Sequence, residues 1–175
     1  ERAKESADSL FYISCRVSKI GIVDSVVKIV DCATFEKVKH FSEGLAAVKS
    51  GDKWGMIDVH GRLVIPFLYQ DLGFCKEGKI AAKTDRRWGY INTSGEWIIE
   101  PRFSKAGDFD EGFAGVFIKN RWYFINDTGG YNPDLYYSGC IDVHDSVFVV
   151  KNKKTRGVVN AKGEWIRKPV YDKIS

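Results

Sequence analysis

A self-similarity with a period of 34 residues runs along this chain and limits its fold more than any single residue does. Ile20, Trp54, Trp88, Trp122 and Arg156 share one rung of the repeat. Gly21, Gly55, Gly89 and Gly157 share the next, with Tyr123 in the slot between the last two. Gly61, Gly95, Gly129 and Gly163 form a third ladder, and Phe35, Tyr69, Phe103, Tyr137 and Tyr171 a fourth that is aromatic throughout. Ladders that hold one register across successive copies mark a repeat architecture, in which each unit buries its apolar face only against its neighbours. Residues found in every copy then build the stack. Catalysis would then need residues that break the pattern.

Within a copy, the segments L-A-A-V-K, K-W-G-M-I-D and R-L-V-I-P are short, apolar and separated by turn residues, which is strand spacing. The turn after the Trp segment starts at Asp24, Asp58, Asn92, Asn126 and Asn160, with Gly three residues later in all but the first copy. Asp or Asn caps a type I turn through its side chain, and Gly takes the left-handed conformation that closes a bulged hairpin. Each copy therefore reads as a three-stranded antiparallel meander plus a returning segment centred on the aromatic rung. Leu45 to Val48 and Ile80 to Ala82 are apolar at consecutive positions, so both faces of those strands are expected to be buried. The terminal copies are softer, with Ile20 and Arg156 at the Trp rung and Arg167 at the rung of Ile99.

The expected fold is all-β: tandem antiparallel meanders stacked as an open, solenoid-like array with polar end caps. A closed five-bladed propeller-like ring is the alternative. Against it, a ring has no ends to soften, and the repeat is short for a four-stranded blade. Residues 1–7 read as a charged N-terminal extension and 8–175 as a single domain, with copies at 8–40, 41–74, 75–108, 109–142 and 143–175.

Hydrophobic content of 44% and aromatic content of 14% supply a core and exclude a disordered chain. No apolar run is long enough to span a bilayer, so membrane insertion is not expected. The start E-R-A-K-E-S-A has no signal-peptide pattern, but a chain that does not begin with Met gives no information on export. Cys15, Cys32, Cys75 and Cys140 have no C-x-x-C spacing, and Cys75 and Cys140 fall on apolar rungs. They read as buried free thiols, which favours a reducing, cytoplasmic compartment.

The stretches K-W-G-M-I-D-V-H-G-R-L-V-I-P (Lys53 to Pro66) and R-W-G-Y-I-N-T-S-G-E-W-I-I-E-P (Arg87 to Pro101) resemble the WG-repeat family of bacterial proteins. So do the openings F-S-E-G-L-A-A-V at Phe41 and F-D-E-G-F-A-G-V at Phe109. The resemblance covers about residues 41–130 strongly and the ends weakly. It implies tandem β-repeats in proteins mostly without an assigned activity, and carries over no catalytic residues.

Trp54, Trp88 and Trp122, with Trp97 and Trp165, read as seals between repeats; the competing reading is stacking platforms for sugar rings. The turns before the Trp rung carry Lys49, Lys53, Lys83, Arg86, Arg87, Lys119, Arg121, Lys151, Lys153, Lys154 and Arg156. Stacked in register, these form a positive stripe for an anionic partner, or simply a solvated edge that deters strand pairing. A net charge of +4 falls short of the strongly basic balance of nucleic-acid binders. Asp108, Asp110 and Glu111 share turn chemistry with S-E-G and K-E-G, and His40, His60 and His144 occupy different repeat positions, so no metal is expected. The least regular stretch, Gly129 to Gly139, places Tyr131 and Tyr136 as recognition candidates, Tyr137 on the core ladder, and Pro133 where it shortens the third strand. No nucleophile elbow or catalytic pairing is present, and no cofactor is expected. The favoured function is a non-enzymatic binding or scaffold module for a protein partner through Lys53, Arg86, Arg87, Lys119, Arg121, Lys154, Arg156, Tyr131 and Tyr136. A carbohydrate or cell-envelope binding module is the alternative, and a repeat-built enzyme the second.

Overall fold

The computed structural model describes residues 3–5, 11–15, 19–23, 29–31, 35–144, 147–152, 155–160 and 164–171, with side chains at 35–139, 149–151, 156–160 and 164–168. Among the described residues there is no helix. The strands form successive antiparallel sheets that follow one another along the chain, and no sheet closes into a barrel. Sheet 1 comprises β1 (Ala3–Glu5), β2 (Phe11–Cys15), β3 (Lys19–Val23) and β4 (Ile29–Asp31). Sheet 2 comprises β5 (Lys37–Val38), β6 (Leu45–Ser50), β7 (Lys53–Asp58) and β8 (Leu63–Tyr69). Sheet 3 comprises β9 (Asp71–Lys76), β10 (Lys79–Thr84), β11 (Arg87–Asn92) and β12 (Trp97–Phe103). Sheet 4 has three strands, β13 (Lys105–Ala106), β14 (Phe113–Ile118) and β15 (Arg121–Asn126). Sheet 5 comprises β16 (Gly139–His144), β17 (Val147–Asn152), β18 (Thr155–Asn160) and β19 (Trp165–Tyr171).

The period accommodates four strands in sheets 2, 3 and 5, with a first strand of two residues in β5 and of six in β9 and β16. The returning segment is a strand in its own right: after the aromatic rung at Tyr69 the chain crosses over and β9 pairs with β10 of the next sheet. Part of the expected N-terminal extension is also strand, since Ala3–Glu5 pairs with Phe11–Ile13.

The turns follow the sequence. Gly61, Gly95 and Gly129 donate to the carbonyls of Asp58, Asn92 and Asn126 at 3.0, 3.0 and 2.9 Å, and all three glycines have positive φ. The Asn92 side-chain oxygen accepts from Ser94 N and Glu96 N at 2.9 Å, so one capping residue fixes the whole turn.

Burial alternates between two joints. Leu45, Ala47, Trp54, Met56 and Ile65 of sheet 2 meet Leu72, Cys75, Ile80, Ala82 and Ile91 of sheet 3. Tyr90, Ile99 and Phe103, on the other side of sheet 3, meet Phe109, Ala114, Val116, Tyr123 and Ile125 of sheet 4. A strand whose alternate side chains serve two cores must be apolar at consecutive positions, and Leu45 to Val48 and Ile80 to Ala82 are all buried. The Trp residues lie in these joints: Trp54 and Trp97 between sheets 2 and 3, Trp88 between 3 and 4, Trp122 and Trp165 between 4 and 5. They are seals, as expected. The aromatic ladder braces them, with Tyr69 edge-on to Trp97 and Tyr137 edge-on to Trp165, both at 5.9 Å between ring centroids.

Candidate functional site

One rung decides whether a sheet acquires its fourth strand. A Cβ on Gly55 would lie 2.6 Å from the Ile65 carbonyl oxygen, and one on Gly89 would lie 2.8 Å from Pro101 N and from the Trp97 ring. These glycines let β8 and β12 approach their neighbours closely. In sheet 4 the rung holds Tyr123, whose ring is buried in the joint with sheet 3. The matching position on the departing strand holds Pro133, where Ile65 pairs with Met56 and Ile99 with Tyr90 in the complete sheets. Proline has no N–H for a ladder. With neither close approach nor donor, the segment leaves the sheet and touches it again in a single bridge, Trp122 to Tyr137. The expected shortening of this strand goes as far as its loss.

The displaced segment builds a surface. Tyr131 packs on Tyr123 at 4.8 Å and Tyr136 on the same ring at 6.3 Å between centroids. The Arg121 guanidinium lies 3.8 Å above the Tyr136 ring, so the two predicted site residues form one stacked unit. Tyr131 and Tyr136 remain 42% and 43% exposed. Tyr131 also stands between two cavities. One, of about 420 Å³, is lined by Phe113, Phe124, Asn126, Asn132 and Leu135 among others. The second, of about 400 Å³, is lined by Arg102, Phe103, Ile118 and Gly129 among others. Arg102 ties the loop to sheet 3 by donating to the Gly129 carbonyl at 2.9 Å. Asn126 fastens the same end of the loop, its side-chain oxygen accepting from Gly130 N at 2.7 Å and from Thr128 Oγ1 at 2.8 Å.

The other predicted residues lie at one end of the stack. Because the strands alternate in direction, the β6–β7, β10–β11 and β14–β15 turns emerge together with the connections between sheets. Lys53, Arg86, Arg87, Lys119 and Arg121 are all exposed there. Arg87 donates to Ser104 Oγ at 3.2 Å, and Arg86 N to the Gln70 side chain at 3.0 Å. Arg156 is exposed at the corresponding start of β18, and Lys154 lies outside the described residues.

The opposite end carries acids with a structural task. Glu43 accepts from Glu77 N at 2.7 Å and Gly78 N at 2.9 Å, and Glu77 accepts from Gly112 N at 2.9 Å. Each carboxylate completes the tight turn of the following sheet. Bonding from Gly78 N, opposed by partial burial, leaves the Glu43 pKa below its usual value. Buried Cys75 donates its thiol to Glu43 at 3.4 Å and forms no disulfide; burial and the nearby carboxylate push its pKa up to about 12. Of the acids read as a turn cluster, Glu111 sits in the turn at φ 46°, whereas Asp108 lies between sheets and accepts from Phe74 N at 3.1 Å. Burial raises the Asp108 pKa. The side chains of Cys140 and His144 lie outside the described residues.

Four matches to the WG containing repeat model, at residues 28–54, 54–87, 88–122 and 157–175, cover well over half of the sequence. The chain belongs to the WG-repeat family. No curated protein matches this WG-repeat chain. Among solved structures, its fold is similar to KlHsv2 with loop 6CD replaced by a Gly-Ser linker, at a TM-score of 0.60 and 10% identity, covering 94% of this chain and 63% of that one. Kluyveromyces lactis Hsv2p gives a TM-score of 0.57 at 11% identity, covering 95% and 62%. The dihydro-heme d1 dehydrogenase NirN, in complex with DHE, gives 0.52 at 13% identity, covering 98% and 46%. The chain therefore spans less than two thirds of the length of these neighbours. The likeness is one of fold: its sheets are packed in succession in a β-propeller-like manner. Among the described residues no helix is long and apolar enough to cross a membrane.

Sequence reasoning singled out Tyr131, Tyr136 and Arg121 for the site and Asn126 only as a turn residue, and did not point to Arg102 or Leu135. Tyr123 was visible as the residue that breaks the glycine ladder. The signal for the cavities was the coincidence of that break with Pro133 on the paired rung.

Proposed function

We propose that this WG-repeat chain is a non-catalytic binding module that holds a protein partner on the open edge of its fourth sheet. The observation that carries this reading is the break at Tyr123, which replaces a structural strand by an exposed surface of Tyr131, Tyr136 and Arg121. In the second and third sheets the same rungs build joints. Tyrosine and arginine are the residue types that concentrate binding energy at protein interfaces, because they offer large contact area with few rotatable bonds or planar donors. Membership of a repeat family and the propeller-like fold support the same reading, since stacked repeats offer extended rigid surfaces. A carbohydrate ligand is less well supported: the Trp rings it would stack on are packed in the joints between sheets.

A photo-crosslinking residue placed at Tyr131, and in a second protein at exposed Leu68 on the complete β8, tests the assignment in cells. Crosslinks to a discrete protein from position 131, absent from position 68 and lost on Tyr136→Ala, are expected. Equal yields from both positions, or suppression of the crosslink by soluble glycans, would overturn it.

A further inference from the structure

The mild net charge conceals a segregation of charge between the two ends of the stack. Lys53, Arg86, Arg87, Lys105, Lys119 and Arg121 crowd the end that carries the β6–β7, β10–β11 and β14–β15 turns. Among the described residues none of these cations is in an ion pair; the pairs are Lys39–Asp71, Lys49–Glu36, Arg62–Asp58 and Lys79–Glu77. At the other end several charges have internal partners. Glu43 and Glu77 are occupied by turn N–H groups, and Arg62 and Lys79 by acids. Glu43 and Glu77 therefore brace neighbouring sheets, whereas among the described residues the six cations of the opposite end are held by no carboxylate.

We infer that the basic end is a docking surface for an acidic polypeptide segment, which enters at the Arg121–Tyr136 stack and runs across the turns that carry Arg87 and Lys53. This names the chemistry of the partner and rests on the reading of the fourth-sheet edge as a protein site. Two features select a polypeptide. Asp52 and Asp85 stand exposed among the cations at the turn tips, where they repel an evenly charged phosphate chain but face the N–H groups of a peptide whose carboxylates are spaced apart. The Tyr136 and Tyr131 rings beside Arg121 supply apolar contact that a partner with side chains uses. A second copy of this chain is a poor occupant, because Glu43 and Glu77 at its complementary end already serve its own turns.

Fluorescence anisotropy of a labelled oligoglutamate peptide with the full chain tests this. Two variants with the same net charge decide it: Lys53→Glu/Arg87→Glu/Arg121→Glu at the basic end, and Arg62→Glu/Lys76→Glu/Lys79→Glu at the other, both checked for fold by circular dichroism. The wild type is expected to bind with an affinity that falls at least about tenfold between low and physiological salt. The first variant is expected to lose at least about tenfold, and the second less than about threefold. Equal losses in the two variants, no binding at all, or tighter binding of single-stranded oligonucleotide or phosphatidylserine vesicles would overturn the inference. If the peptide fails while the crosslink from position 131 persists and still depends on Tyr136, the partner is not acidic but the site stands.

Discussion

In the third sheet Gly89 lets β12 lie against β11, and the pair runs from Trp88–Phe103 to Ile91–Trp97. In the fourth sheet, one period on, Tyr123 fills that gap with a ring, and the pairing shrinks to one bridge at Tyr137. Both joints that flank the fourth sheet are nevertheless intact: Tyr123 and Ile125 are buried against the third sheet, and Trp122 and Phe124 pack towards the fifth. The difference teaches that the outer strand is dispensable to the stack while the inner strands are not. Glu77 reaches into the Gly112 turn, and Tyr90 donates to the Gly107 carbonyl at 2.8 Å, both on the inner side. A repeat protein that must open a site without losing its core can therefore give up an outer strand at modest cost.

The largest effect is expected where the comparison rests on one ring. Tyr123→Ala removes a buried aromatic braced against Tyr131 and Tyr136, and should lower unfolding free energy in urea by about 3 kcal/mol or more. A loss below about 1 kcal/mol would show that the ring does not brace the loop. Next comes the reverse move in the third sheet. Gly89→Ala pushes a methyl group into the Ile99 carbonyl and Pro101 N, and should cost about 2–3 kcal/mol; a neutral result in thermal melts would detach the glycine rung from strand pairing.

Tyr90→Phe gives the third sheet the residue that Phe124 supplies in the fourth. It removes the donor to Gly107 and should cost about 1–2 kcal/mol by chemical denaturation, with the site surface unchanged. The smallest effect concerns the acid end. Because the folded-state pKa of Glu43 is depressed, its stabilisation is full above the ordinary glutamate range and is lost as pH falls through the folded pKa. Glu43→Gln should remove about 0.5 kcal/mol at neutral pH and flatten the acid limb of the stability profile, the exposed position screening the charge. An unaltered acid limb would take Glu43 out of the joint.

Much of this was legible in the sequence where one residue type admits one geometry. Asp58, Asn92 and Asn126, each followed by Gly three residues later, specified the bulged hairpins, and consecutive apolar residues in β6 and β10 specified strands buried on both faces. The number of strands was not legible in sheets 2 and 4, where β5 and β13 are two residues long and carry no periodicity. A propeller-like build therefore stood only as the alternative, because the repeat looked short for four-stranded blades. At the site, exposure of Tyr131 and Tyr136 followed from the irregular loop. The Arg121–Tyr136 stack did not, because it joins the start of a strand to a loop whose path is set by tertiary contacts with Tyr123. Arg102 was invisible for the same reason: its partner, the Gly129 carbonyl, belongs to the next sheet.

The carboxylates that the second and third sheets extend to their successors give this part of the array a direction. Glu43 clasps the turn at Glu77 and Gly78, and Glu77 clasps Gly112, both from the earlier unit to the later. A unit leaving the ribosome therefore meets a clasp already held out by the one before it, and a duplicated unit arrives with the clasp for whatever follows. Lengthening such a chain by whole units needs no new invention at the seam.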